Sequence, residues 1–243
     1  MDERRGIGSV DTAMTILKVF ADAPGPLTLT EVGQRSGMST SKLHRYLASL
    51  VAQGMLSQRE RSGRYDLGPF ALRLGVGALA RNDFVNRTAA ALPDLVEATG
   101  LTAMLSVWGN GGATVIRWER GRDHVVTSLG LGTVLPLIGS ATGRIFLAFL
   151  PSMMTDPHVP AGSRRMAEAY RKDIAAAGYA TVGGDLIPGL YALAAPVLNW
   201  QGEAEAAVTL ISTDPALTAP DGTALARLRE TCRSVSVGAV DTP

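Results

Sequence analysis

Residues 39 to 45 read Ser-Thr-Ser-Lys-Leu-His-Arg, three small hydroxyls followed closely by a lysine, a histidine and an arginine. Two chemistries fit these types at this spacing. On a helix, Ser39 and Lys42 match a Ser-x-x-Lys pattern, which sets a hydroxyl beside an amine able to deprotonate it. The companion Lys-Thr-Gly and Ser-Asp-Asn motifs are absent, and Gly139-Ser140-Ala141-Thr142-Gly143 puts its serine one position too early for a nucleophile elbow. A surface that touches phosphates wants the same residues for other reasons. Small side chains at a helix N-terminus allow close approach, hydroxyls and unpaired N–H groups donate to phosphates or base edges, and basic residues supply charge. A plainer reading leaves Ser39 as a cap, with Lys42, His44, Arg45 and Ser49 as a solvated face.

The elements that carry the stretch favour the second chemistry. Leu43, Tyr46, Leu47, Leu50 and Val51 recur at helical spacing and form one apolar stripe, which Gly54 ends. A shorter helix precedes it, with Thr30 expected as N-cap and Gly37 as stop. Before that, Pro24-Gly25-Pro26 breaks an amphipathic helix over residues 9 to 21, and Leu27 and Leu29 alternate with threonines as a short strand would. After it, two extended runs flank Arg61-Ser62-Gly63 as a hairpin. A short helix, a glycine-centred turn, a longer helix and a basic hairpin make a winged helix-turn-helix. Its expected DNA-facing residues are Thr28, Thr30, Ser39, Thr40, Ser41, Lys42, His44 and Arg45, with Arg59, Arg61 and Arg64 on the wing.

Charge is distributed accordingly. Residues 35 to 73 hold seven Lys/Arg against two acids, a net +5, although the whole chain carries only +1. Residues 84 to 243 hold 12 basic and 14 acidic side chains and would be repelled by a polyanion, so any nucleic-acid surface belongs near the N-terminus. The single cysteine, Cys232, has neither a disulfide partner nor spaced zinc ligands and is expected as a reduced thiol packed on a helix; the three histidines are scattered, and neither a metal nor a cofactor is expected. The longest apolar runs, such as Ile145 to Leu150, are far too short to span a bilayer, and the start MDERRGIG has no apolar export core. No membrane partner is expected, and the cytoplasm is the default location.

The 243 residues divide into a DNA-binding domain over 1–68, a connecting helix over 69–83 and a larger domain over 84–243. Residues 69 to 92 read either as one helix interrupted by Gly75 and Gly77 or as two that meet near Asn82-Asp83. Beyond Gly100, LTAMLSVWG and ATVIRWERG form a hairpin, HVVTSLGLGTVLPL is extended, SATGRIFLAFL is a helix, and residues 162–177 and 221–237 are helical. YALAAPVLN and EAAVTLIS are strands joined at Trp200-Gln201-Gly202. Helices alternating with antiparallel hairpins make the fold class α+β.

The run LTLTEVGQRSGMSTSKLHRYLASLVAQGMLSQRERSGRYDLG resembles the winged helix-turn-helix of the IclR family of bacterial transcriptional regulators, down to His44-Arg45 and the Tyr-x-Leu-Gly after the wing. LPLIGSATGRIFLAFLP, IAAAGYATVGGD and GLYALAAPVLNWQGEAEAAVTLIS resemble three signature stretches of that family's C-terminal domain, and the likeness spans roughly residues 8 to 238. It implies an α/β GAF/PAS-like effector-binding domain with a central antiparallel sheet. It also implies a repressor or activator of a catabolic operon, with double-stranded operator DNA, a small organic acid, aromatic or not, further copies of the chain as dimer or tetramer, and RNA polymerase as partners. The departures matter too. Family members often have Pro-Lys-Ser-Thr where this chain has Ser39-Thr40-Ser41-Lys42, so the basic residue has moved two positions, about 200° around the helix. Ala192-Leu193 stand where a cysteine is frequent, and Val182-Gly183-Gly184 precede Asp185 where acids are frequent, which implies a larger or more apolar effector than a two- or three-carbon acid.

The effector site is expected at Ser140, Ala141, Thr142 and Gly143, where a helix N-terminus and a threonine hydroxyl could hold a carboxylate. Small residues there also serve simply to let the helix pack on the sheet. The remaining wall is expected from Met104, Ser106, Trp118, Thr127, Leu129, Tyr191, Ala192 and Thr209, with Trp118 or Tyr191 able to stack on an aromatic ring. The alternative function is an enzyme that transforms a small molecule and carries an appended nucleic-acid-binding domain. A general nucleic-acid binder without regulation is a third.

Overall fold

The computed structural model describes residues 7–59, 63–80, 83–109, 111–122, 129–184, 186–219 and 222–236, and it divides into two compact units, residues 1–81 and 82–243. Each unit has its own core.

In the first unit, helix α1 (Gly8–Ala21) buries Ile16 and Phe20 but leaves Val10 and Met14 about half exposed. Helix α2 (Leu29–Ser36) starts earlier than expected. Its N-cap is Thr28, not Thr30, because Glu31 lies three residues after Thr28 and completes a reciprocal capping box. The expected strand through Leu27 and Leu29 shrinks to a single bridge between Leu27 and Tyr65. Gly37 ends α2 in the left-handed conformation, φ 69°, which turns the chain into α3 (Thr40–Ala52). The periodic leucines of α3, Leu43, Leu47 and Leu50, enter the core against Ile16, Phe20 and Val32. Truncating fully buried Leu47 to alanine would cost about 2–5 kcal/mol. Strands β1 (Leu56–Arg59) and β2 (Arg64–Leu67) pair antiparallel and form the hairpin, whose residues 60–62 lie outside the described ones. Helix α4 (Pro69–Ala80) runs through Gly75 and Gly77 without interruption, and its Leu72, Leu74 and Val76 are exposed.

The second unit opens with α5 (Asp83–Thr99), followed by β3 (Thr102–Gly109), β4 (Gly112–Glu119), β5 (Val134–Leu135), α6 (Ala141–Phe149), the single turn α7 (Ser152–Thr155), α8 (Arg164–Ala177), β6 (Ala180–Gly183), β7 (Tyr191–Leu198), β8 (Ala204–Ser212) and α9 (Thr223–Val235). Among the described residues of the extended run expected up to Pro136, only Val134–Leu135 is strand; residues 123–128 lie outside the described ones. Strand β6 was not anticipated, because four residues with two small ones carry little alternation. The strands join in the order β5-β4-β3-β8-β7-β6, every pairing antiparallel. One face packs on α5 and α9 through Leu92, Leu105, Leu193 and Leu228. The other packs on α6 and α8 through Met104, Ile145, Phe146 and Ala194. Period-two alternation sends neighbouring residues to opposite cores. A bulge in the β3–β4 pairing at Leu105/Ser106 breaks that rule on β4 and lets both Val115 and Trp118 face the α6 side. Among the described residues no helix is long and apolar enough to cross a membrane.

Candidate functional site

The first turns of α3 display Ser39 to Arg45. Ser39 is the N-cap by position, yet its hydroxyl makes no capping hydrogen bond, so the helix start keeps its amides unsatisfied by that side chain. Ser39, Thr40, Ser41, Lys42, His44 and Arg45 are all exposed. Arg45 lies one turn beyond Ser41 and Lys42, on the side opposite the buried leucines. This surface combines a helix N-terminus, three small hydroxyls and two cations, and it can hold phosphate oxygens and reach base edges. Thr30 is exposed on the first turn of α2.

Two of the anticipated residues have structural duties instead. The Thr28 hydroxyl accepts from the Glu31 amide (3.3 Å) and donates to Glu31 Oε2 (2.8 Å), while the Thr28 amide donates to the same oxygen (2.6 Å). These hydrogen bonds, with lesser help from Arg64 and Arg35, hold the Glu31 carboxyl below its usual range. Arg64 donates to the Pro26 carbonyl (2.9 Å) and lies 3.5 Å from Glu31 Oε2, which ties β2 to the entry of α2. The side chain of Arg59 and all of Arg61 lie outside the described residues.

In the second unit, a narrow, mostly apolar pocket sits at the N-terminal end of α6. It brings together Met104, Leu129, Ser140, Ala141, Thr142, Ala192 and Thr209 of the expected set. Val182, which the family comparison had set near the effector, also lines it, and its other walls, Leu135, Leu186, Ile187, Leu190 and Ile211, were not anticipated. Alternation from Thr209 could have found Ile211, but the segment 186–190 has no periodicity to read. No charged side chain lines the pocket among the described residues.

Its polar end is small and specific. The hydroxyls of Thr142 and Thr209 share a 2.7 Å hydrogen bond, both are buried, and neither makes another among the described residues. One bond uses one of two hydroxyl hydrogens, so one remains for a further acceptor. The amides of Ala141 and Thr142 precede the first intrahelical acceptor and add positive potential. Ser140 is spent as a cap, accepting from the Gly143 amide (2.9 Å) and donating to the Pro136 carbonyl (2.7 Å).

The other expected residues are elsewhere. Gly143 lies outside the lining; a Cβ there would sit 2.3 Å from the Pro136 carbonyl oxygen, so its smallness serves helix packing. Tyr191 packs in the α5/α9 core, on the face opposite its neighbour Ala192, and cannot stack on a ligand in this pocket. Ser106 and Trp118 share the pocket's sheet face but lie outside its lining. Thr127 lies outside the described residues. Burial pushes the Cys232 thiol up to about 12, and no group of metal-ligating side chains occurs among the described residues.

Residues 9–60 match the IclR helix-turn-helix domain, and residues 76–237 match the C-terminal domain of the bacterial transcriptional regulator IclR. The chain is 29% identical to the HTH-type transcriptional regulator BhcR of Paracoccus denitrificans, over 94% of this chain and 88% of that protein. It is 34% identical to Pseudomonas aeruginosa HmgR, whose crystal structure superposes with a TM-score of 0.75 over 95% of this chain and 98% of that one. An IclR homologue from Microbacterium hydrocarbonoxydans, crystallised with 4-hydroxybenzoate, shares the fold at 19% identity, with a TM-score of 0.71 over 94% of this chain and 97% of that one.

Proposed function

This chain belongs to the IclR family of bacterial transcriptional regulators, and from that premise we propose that it controls a catabolic operon in response to a small organic acid. α3 enters the major groove of operator DNA with Ser39 to Arg45, and the hairpin arginines contact the backbone beside it. Two such helices one DNA turn apart require at least a dimer. The effector's carboxylate lies against the Ala141 and Thr142 amides and the Thr142–Thr209 hydroxyls, and its apolar body rests on Met104, Leu129 and Leu190. Acid binding must favour one arrangement of the DNA-binding units over another, or it would change nothing. The protein works in the cytoplasm, where its DNA and RNA polymerase are, and acts by binding rather than by turnover: the serine nearest the pocket's polar end has its hydroxyl occupied at both lone pair and proton.

The observation that carries the reading is the uncapped, fully exposed start of α3, whose hydroxyls and cations face away from the domain's own core. The test is fluorescence anisotropy of the full chain on DNA from upstream of its neighbouring genes and on random DNA, from low to physiological salt. A regulator discriminates between the two by roughly 10³-fold or more, and an aromatic acid shifts the specific affinity. Equal affinity for both DNAs would leave only a general binder.

A further inference from the structure

Met104 occupies the middle of a row that crosses the second unit's sheet. It pairs with Thr209 of β8 on one side and with Trp118 of β4 on the other. Directly opposed residues of paired strands share a face, so all three side chains lie on the α6 side, and Ser106, two residues along, lies there too. Thr209 belongs to the polar end of the pocket, and Met104 forms part of its wall. Two polar atoms on this face are buried without a hydrogen-bond partner: Trp118 Nε1, across Met104 from Thr209, and the Oγ of fully buried Ser106, two residues along Met104's own strand. Buried donors are almost always satisfied, and two orphans on one sheet face beside a cavity call for an acceptor that comes from outside. Ser106 is opposed by Ala207 and Val115, which offer it no side-chain acceptor.

We propose that Met104 is a movable plug, and that the effector passes it to place a second oxygen on Trp118 Nε1 and Ser106 Oγ. This rests on the reading of the α6 pocket as the effector site. Methionine is unbranched with three rotatable side-chain bonds, so a change of rotamer joins the visible pocket to the orphaned donors. Backbones two strands apart are separated by about 10 Å, which is the scale on which Thr209 and Trp118 face each other across Met104. The ligand that satisfies both ends is an acid with a rigid apolar body about one aromatic ring long and an oxygen opposite its carboxylate. That second oxygen is neutral, a phenol or ketone, because a second carboxylate would be buried with no cationic side chain among the described lining residues.

The experiment is calorimetric titration of the full chain with benzoate, 4-hydroxybenzoate and the dicarboxylate terephthalate, repeated on Trp118→Phe and Ser106→Ala. The wild type is expected to bind 4-hydroxybenzoate about tenfold more tightly than benzoate and terephthalate weakest. Each variant should cut that tenfold preference while leaving benzoate affinity within about twofold. Ser106→Ala, which deletes an unpartnered buried hydroxyl, should at the same time keep or raise the melting temperature of the ligand-free protein, which a serine with a purely structural role would not do. A preference for the para oxygen that persists in both variants overturns the inference and leaves the pocket reading standing. If neither monoacid binds the wild type, this inference and the acid-effector reading both fall, and the DNA-binding reading is untouched.

Discussion

The hydroxyls of Thr142 and Thr209, 67 residues apart in sequence, meet at 2.7 Å inside the second unit and pin the first turn of α6 to β8. The bond does two jobs. It satisfies one buried hydroxyl with another, and it leaves one hydroxyl hydrogen at the polar end of a pocket that otherwise offers mostly carbon.

Thr142→Val keeps the shape and removes the bond. Thr209 is then left buried without a partner, and the second unit should lose about 1–2 kcal/mol in urea unfolding. Thr142→Val with Thr209→Val should recover most of that stability and still bind 4-hydroxybenzoate about tenfold more weakly than wild type. Unaltered affinity in the double variant would remove both threonines from the site.

Arg45 and Arg64 should respond differently. Arg45 is exposed, and no salt bridge holds it among the described residues, so Arg45→Ala should weaken operator binding and lower the salt slope by about one without shifting the melting temperature. Arg64 also holds the Pro26 carbonyl and faces Glu31, so Arg64→Ala should weaken both DNA binding and the thermal stability of the first unit. A destabilised Arg45→Ala would show that α3 is held by more than its leucines.

Glu31 sets an acid limb for the first unit. Its folded carboxyl is held below the ordinary value of 4.5, chiefly by the Thr28 amide and then by the Thr28 hydroxyl. A depressed folded value means that the stabilisation is fully present above the ordinary value and is lost as pH falls through the lowered one. Thermal melts of the isolated change Glu31→Gln should therefore show a flatter acid limb than wild type, and little difference in slope near neutrality. Identical acid limbs would count against the capping box as a source of stability.

Gly143→Ala tests the approach of α6 to the preceding loop. The added methyl would meet the Pro136 carbonyl oxygen at 2.3 Å and the Leu137 Cα at 2.7 Å, both backbone atoms that cannot swing aside. Destabilisation of roughly 1–3 kcal/mol is expected, with ligand affinity lowered because the helix start is displaced. Chemical denaturation measures the first and titration with 4-hydroxybenzoate the second.

Much of the first unit was legible because its rules are local. The i, i+3, i+4 recurrence of Leu43, Leu47 and Leu50, the glycine at 37 and the basic residues around them act within a few positions of chain, so the helix, its exposed face and its charge followed from order alone. The one misplaced cap is instructive: Thr28 and Thr30 are both threonines, and only the reach of Glu31 back over three residues selects the first. The resemblance in residues 139–144 and 191–212 likewise located the pocket's polar end.

The composition of the pocket's walls was a matter of tertiary structure. Which face a strand residue takes depends on register, and a shift of one position exchanges the two cores. Tyr191 and Ala192, adjacent in sequence, part company on that ground, and only Ala192 reaches the pocket. The bulge opposite Ser106 sets Trp118 beside Met104, though the spacing from Val115 to Trp118 would have put them on opposite faces of an unbroken strand. Sequence alone determined that this chain has a helix with an exposed face of hydroxyls and cations and another helix with a small-residue start, since both depend on residue types close together in the chain. Pairing between strands far apart in sequence decided what stands beside that helix start, because only the folded sheet brings Met104, Trp118 and Thr209 into one row.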